Sequence, residues 1–145
     1  MRTLGDLINA VQKLDIDYLI SNSLLESRED YVRLQQEQML KGEREDGSPI
    51  FNLKTGSDQY SPGYAKRKGK SSPIDLRDTG AFQGGIFFKI DDAQSFTVDS
   101  DDSKSGMLQE NYGKQIFGLN DESNVQFIQV FKQNLSTDLI NDLSK

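Results

Sequence analysis

Apolar residues at Leu4, Leu7, Ile8, Val11 and Leu14 recur three and four apart, which predicts a first helix capped by the Thr3 hydroxyl. Ile16, Tyr18, Leu19 and Ile20 fit either its continuation or a second helix. Ser27-Arg28-Glu29-Asp30 has the form of a capping box. Tyr31, Val32, Leu34, Gln35 and Met39 run down the helix behind it, and Gly42 is a natural stop. The first forty residues therefore read as a helical hairpin or one bent rod whose narrow apolar stripe packs on a sheet.

Pattern and turn residues divide the rest of the chain. Pro49-Ile50-Phe51 reads as a short strand or extended segment, and 54–59 as polar loop. Ser61-Pro62 opens a short helix over 62–68 that ends at Gly69, and Pro73 drives Ser72 out of the helical region, predicting an extended Ile74-Asp75-Leu76. The runs 86–90 and 95–98 are rich in Phe, Ile, Val and Thr and predict an antiparallel hairpin around 84–99, with its tip at Asp91-Asp92-Ala93-Gln94. Ile86, Phe88 and Ile90 share one face, which leaves Phe87 on the other. Asp102 or Ser103 caps a short helix that closes at Tyr112-Gly113. Phe127, Ile128, Phe131, Leu135, Leu139 and Leu143 then stripe a terminal helix beginning near Ser123. The predicted fold is α+β in a single domain over 1–145, a small antiparallel sheet packed with N-terminal helices and a long C-terminal helix. Residues 1–42 form its helical N-terminal region, 43–80 a loop-rich region, 81–120 the hairpin and a short helix, and 121–145 the C-terminal helix.

Composition narrows the chemistry. The 145 residues suffice for one core without staples, and a mean hydropathy of −0.65 points to solvated surface or to surface that awaits a partner. There is no cysteine and no histidine, which removes disulfides, thiolate metal sites and the commonest general base. A formal charge of −6 argues against a broad basic face for duplex nucleic acid. No apolar run reaches a membrane span and Asp6 interrupts the N-terminus too soon for a signal peptide, so a soluble protein without a membrane partner is expected, one that remains in the cytoplasm where it is made.

Four motifs bear on function. Gly63 to Ser71 ends in Gly-Lys-Ser, but five residues separate its glycines and no strand precedes it, so a phosphate cradle is not expected. Asp99, Asp101, Ser103 and Glu110 occupy positions of a calcium loop, yet Lys104 stands where the bend needs glycine. Asp75 and Asp78 are the candidate carboxylates for hydrolysis, and turn or ion-pair roles explain both. Neither an enzyme nor a cofactor or metal is expected. The remaining motif is the basic loop of Lys66, Arg67, Lys68 and Lys70, four cations that a surface loop could exchange for Ser without loss of folding.

Ser61-Pro62 with Lys66-Arg67-Lys68-Gly69-Lys70, then Leu76-Arg77-Asp78-Thr79-Gly80-Ala81-Phe82, a hairpin, Tyr112-Gly113 and Phe117-Gly118-Leu119 before a terminal helix form an ordered series. In that order the chain resembles the virion-morphogenesis and tail-completion proteins of tailed bacteriophages. It departs from their pattern at Lys114-Gln115-Ile116 and in lacking a histidine before Gly113, which leaves open the connector layer it would join. The resemblance implies a non-enzymatic structural protein of a virion, a ring-forming head–tail connector (neck) or tail-terminator subunit. Its partners would be copies of itself, portal, adaptor or tail-tube proteins, and in passing genomic DNA. Thr79 and Gly80 would shape the turn into the hairpin, Phe82, Phe87 and Phe117 would anchor contacts, and the four cations would face DNA or a neighbour's acidic side. The alternative is a monomeric adaptor, or a nucleic-acid-binding accessory protein, working through loop 66–70.

Overall fold

Two glutamines on one helix organise the centre of the molecule. The computed structural model describes residues 3–92 and 95–144. Its elements are α1 (Leu4–Gln12), α2 (Ile16–Glu26), α3 (Arg28–Leu40), α4 (Pro62–Lys68), α5 (Ala81–Gly84), β1 (Ile86–Asp92), β2 (Ser95–Ser100), α6 (Ser105–Tyr112), a 3-10 turn at Lys114–Ile116, and α7 (Asp121–Leu143). Gln35 and Gln38 of α3 are buried and lie against the segment that leads from the 3-10 turn into α7. Gln35 donates to the Ile116 carbonyl at 3.2 Å and accepts from the Gly118 N–H at 2.8 Å. Gln38 donates to the Gly118 carbonyl and accepts from the Asn120 N–H, both at 2.8 Å. Two side-chain amides thus substitute for a neighbouring strand and satisfy backbone groups that burial would otherwise leave orphaned.

The sheet is the two-stranded antiparallel hairpin of β1 and β2, with Ile86 opposite Ser100 and Phe88 opposite Val98. Its tip residues Ala93 and Gln94 lie outside the described residues. The expected facing holds: Ile86 and Phe88 are buried, while Phe87 is 39% exposed. One apolar cluster gathers Met39, Ile50, Ile74, Leu76, Phe82, Ile86, Ile116 and Phe117; a second joins Tyr31, Leu34, Phe88 and Phe127. Tyr31 links three elements there, its ring 5.2 Å from that of Phe88 and 5.1 Å from that of Phe127. The fold class is α+β, and the terminal helix runs along α2 and α3.

Several local expectations are corrected. Ser27 does not cap α3, because its backbone is already helical and its hydroxyl donates to the Ser23 carbonyl at 2.7 Å. Asn134 of α7 donates to the same hydroxyl at 2.8 Å, so Ser27 is a buried joint between helices. Asp15 caps α2 through the Tyr18 N–H. Neither Asp102 nor Ser103 caps α6, which starts from Lys104; Asp102 instead accepts from the Lys104 N–H in a tight turn. Asn120, three residues before the expected start, caps α7. Pro49 forms only an isolated bridge with Glu43.

Gly42 ends α3 at φ 76°, and a Cβ there would lie 2.5 Å from Pro73 Cβ and 2.9 Å from the Ile74 carbonyl. Conformation and space both require glycine at that crossing of two segments. The larger correction concerns α1. It forms as predicted, with Thr3 and Asp6 completing a capping box, but its stripe packs on no sheet. Leu4, Leu7, Ile8 and Val11 are 73%, 44%, 48% and 51% exposed, although the helix touches α7.

Candidate functional site

The segment after α4 closes on Asp75, a buried carboxylate. Lys70 donates to Asp75 Oδ2 at 2.6 Å, and Lys68 Nζ stands 3.0 Å from Oδ1. The Arg77 N–H donates to Oδ1 at 3.0 Å, curling the chain back over the carboxylate. Tyr60 completes the knot: its hydroxyl donates to Asp75 Oδ1 and accepts from the N–H groups of Asp75 and Leu76, at 3.0–3.1 Å. Gln83 of α5 donates to the Asp75 carbonyl at 2.8 Å.

Burial alone would raise the Asp75 pKa. The Lys70 hydrogen bond, then the Arg77 N–H and Lys68, outweigh it and hold the carboxyl at about 2. Burial, with the neighbouring Asp75 charge, pushes the Tyr60 phenol well above its usual range, against the pull of its backbone donors.

Leu76 follows with φ 58°, a left-handed conformation uncommon for a branched side chain. It breaks the extended run that the sequence predicts over Ile74-Asp75-Leu76, and the Ser72–Pro73 bond before that run is cis. Thr79 and Gly80 shape a turn, but it feeds α5 rather than the hairpin directly: Gly80 (φ 92°) stands at the N-cap and Thr79 Oγ1 accepts from the Ala81 N–H at 3.2 Å.

This turn floors a cleft of about 800 Å³ between residues 52–64, the 74–82 segment and α6. Leu76, Phe82, Tyr64, Met107, Leu108 and Tyr112 give it apolar walls, and Arg67, Asp78 and Lys104 give it a charged rim. Lys104 is bridged to Asp78 at 3.1 Å. On the other side of Arg67 is a polar hollow of about 570 Å³, where Arg67, Lys68, Lys70 and Arg77 face Asp75 and Asp78.

The basic loop divides accordingly. Lys68 and Lys70 are internal ion-pair partners of Asp75, so the expectation that all four cations could become Ser without harm to folding is revised. Lys66 and Arg67 are exposed and make no ion pair among the described residues, Arg67 resting 5.5 Å from the centre of the Tyr64 ring. Of the aromatic anchors, Phe87 alone faces solvent. Phe82 and Phe117 are buried in the chain's own core, their ring centres 5.8 Å apart, and are not free to hold a neighbour.

The other motifs have structural partners. Over Gly63 to Ser71 the Ala65 and Gly69 amides make helical bonds to the Ser61 and Ala65 carbonyls, so no anion-cradling nest forms from them. Asp99 accepts from the Ser100 N–H, the Ser105 hydroxyl and Gln109, and no group of three potential metal ligands occurs among the described residues. Asp75 is held ionised, the opposite of a poised general acid. Asp78 is exposed and bridged to Lys104. No described helix is long and apolar enough to cross a membrane.

Sequence reading missed the Tyr60–Asp75 knot and the two glutamine clamps. No local signal marks either, since the knot joins residues 15 apart and the clamps join residues about 80 apart. Comparison with protein-family models, with curated proteins and with solved structures finds no match to the chain.

Proposed function

We propose that the chain is a structural subunit that assembles with copies of itself, of the head–tail connector, neck or tail-completion kind to which its ordered motifs point. The observation that carries the reading is α1: a well-capped amphipathic helix whose apolar residues are solvated in the single chain. A nine-residue helix is marginal in water by itself, and an uncovered apolar face of this kind marks a contact surface. Phe87 on the outer face of β1, and Val125 and Ile128 on α7, extend the exposed apolar surface to other sides. A subunit packed between two neighbours in a ring needs contact surface on more than one side. In a virion, such a ring would meet the portal, adaptor or tail tube.

Negative-stain electron microscopy of the purified chain tests the reading. Closed rings of uniform diameter are expected, and fields of single particles of about 16 kDa would refute it. Lys66 and Arg67, exposed on the basic loop 66–70 and without an ion pair among the described residues, favour one second reading, a nucleic-acid-binding accessory protein. A mobility shift of duplex DNA by the monomer, abolished by moderate salt, would bring that reading forward.

A further inference from the structure

We propose that the cleft between residues 52–64, the 74–82 segment and α6 takes the apolar face of α1 from a second copy of this chain, so that subunits join head to tail. The inference rests on the self-assembly reading and names its surfaces. The occupant follows from what the chain lacks and what it offers. Leu4, Leu7, Ile8 and Val11 form one stripe along a helix roughly 13 Å long. The cleft holds about 800 Å³, with buried Leu76 and Phe82 and 52%-exposed Met107 among its apolar walls. No residue of α1, α2 or α7 lines the cleft, so stripe and cleft are separate surfaces of one subunit. Two different complementary surfaces define a heterologous contact, the kind that closes into rings.

Charge points the same way. Residues 4–26, which span α1 and α2, carry four acidic side chains (Asp6, Asp15, Asp17, Glu26) and one basic, Lys13. Residues 60–70, which supply Tyr60, Ser61, Pro62, Tyr64 and Arg67 to the cleft, carry four basic side chains and no acidic one, while the rim itself pairs Lys104 with Asp78 and adds Asp102. Lys68 and Lys70 are spent on Asp75, which leaves Arg67 on the cleft's rim, with exposed Lys66 next to it in the chain, to meet the acidic flank of an incoming helix pair. Opposed potentials of this kind orient the encounter and suppress the like-with-like alternative.

The chain has no cysteine, so introduced thiols report contacts without background. Val11→Cys and Met107→Cys both alter exposed positions, and circular dichroism of each variant verifies folding. The two full-length variants are mixed and oxidised with diamide. The expected product is a covalent dimer containing one chain of each kind, identified by mass spectrometry, in several-fold excess over dimers from either variant alone. The double variant is expected to give a ladder of covalent multimers.

Val11→Cys linking to itself as efficiently as in the mixture would place stripe against stripe and overturn the inference. Failure of the mixed disulfide while light scattering shows the same preparation assembled would overturn it too, leaving self-assembly through another surface intact. Failure of the mixed disulfide in a preparation that stays monomeric would overturn both.

Discussion

Replacing Asp75 by Asn keeps the size of the side chain and an oxygen for the Arg77 N–H, and removes the charge that Lys68 and Lys70 share. The magnitude follows from the knot. A carboxyl held at about 2 against an ordinary 3.8 contributes about 2 kcal/mol of stability near neutral pH. Loss of the charge also strands Lys68, only 13% exposed, without a counter-ion, and turns an amide toward Lys70 at a spacing of 2.6 Å. Together these effects predict a loss of about 2 to 4 kcal/mol. In a urea titration of a domain this size the midpoint falls by about 1 to 2 M.

The pH dependence carries a definite sign. Because the folded pKa lies below the unfolded one, the contribution is complete above about pH 4 and is lost as pH falls through about 2. Wild type and variant should therefore converge between those values. A gap that is unchanged from neutral pH down to about pH 2.5, or one below about 0.5 kcal/mol at neutrality, would show that the Asp75 charge does not hold this segment in place.

Other substitutions separate internal from external roles. Gln38→Ala leaves the half-buried Gly118 carbonyl and the buried Asn120 N–H without these partners, and a loss of about 1 to 3 kcal/mol is expected in chemical denaturation. Gly42→Ala drives a Cβ into Pro73 and the Ile74 backbone at a positive φ, so a fall in melting temperature of at least several degrees is expected in calorimetry. Lys66→Ser with Arg67→Ser should change the stability read from a urea titration by less than about 0.5 kcal/mol, since neither makes an ion pair among the described residues. Lys68→Ser with Lys70→Ser should be clearly destabilising in the same titration.

Elements whose cause is local were legible in the sequence. The Thr3 cap, the Gly42 and Gly69 stops, the Ser61-Pro62 start and the facing of Ile86, Phe87 and Phe88 all depend on residues a few positions apart. Features decided by tertiary competition were not. Ser27 has the sequence of a cap, but α2 and α3 meet so closely that its backbone is helical and its hydroxyl serves α7 instead. Gln35 and Gln38 look like solvated helix positions until 116–120 lies against them. The basic loop was legible as a charge cluster. Its division into two internal and two external cations depends on Asp75, whose approach is set by the turn through Leu76 and the Tyr60 hydroxyl. The stripe on α1 was visible, and its lack of cover was not, because periodicity says which face is apolar without saying what meets it.

Self-assembly is tested at its root by the mass of the intact chain in solution, followed by light scattering across a concentration series. A subunit of the kind proposed should rise with concentration to a plateau at one integer multiple of 16.3 kDa, and return toward the monomer when Leu7 and Ile8 are both changed to Ser. A mass of one chain at every concentration would contradict it.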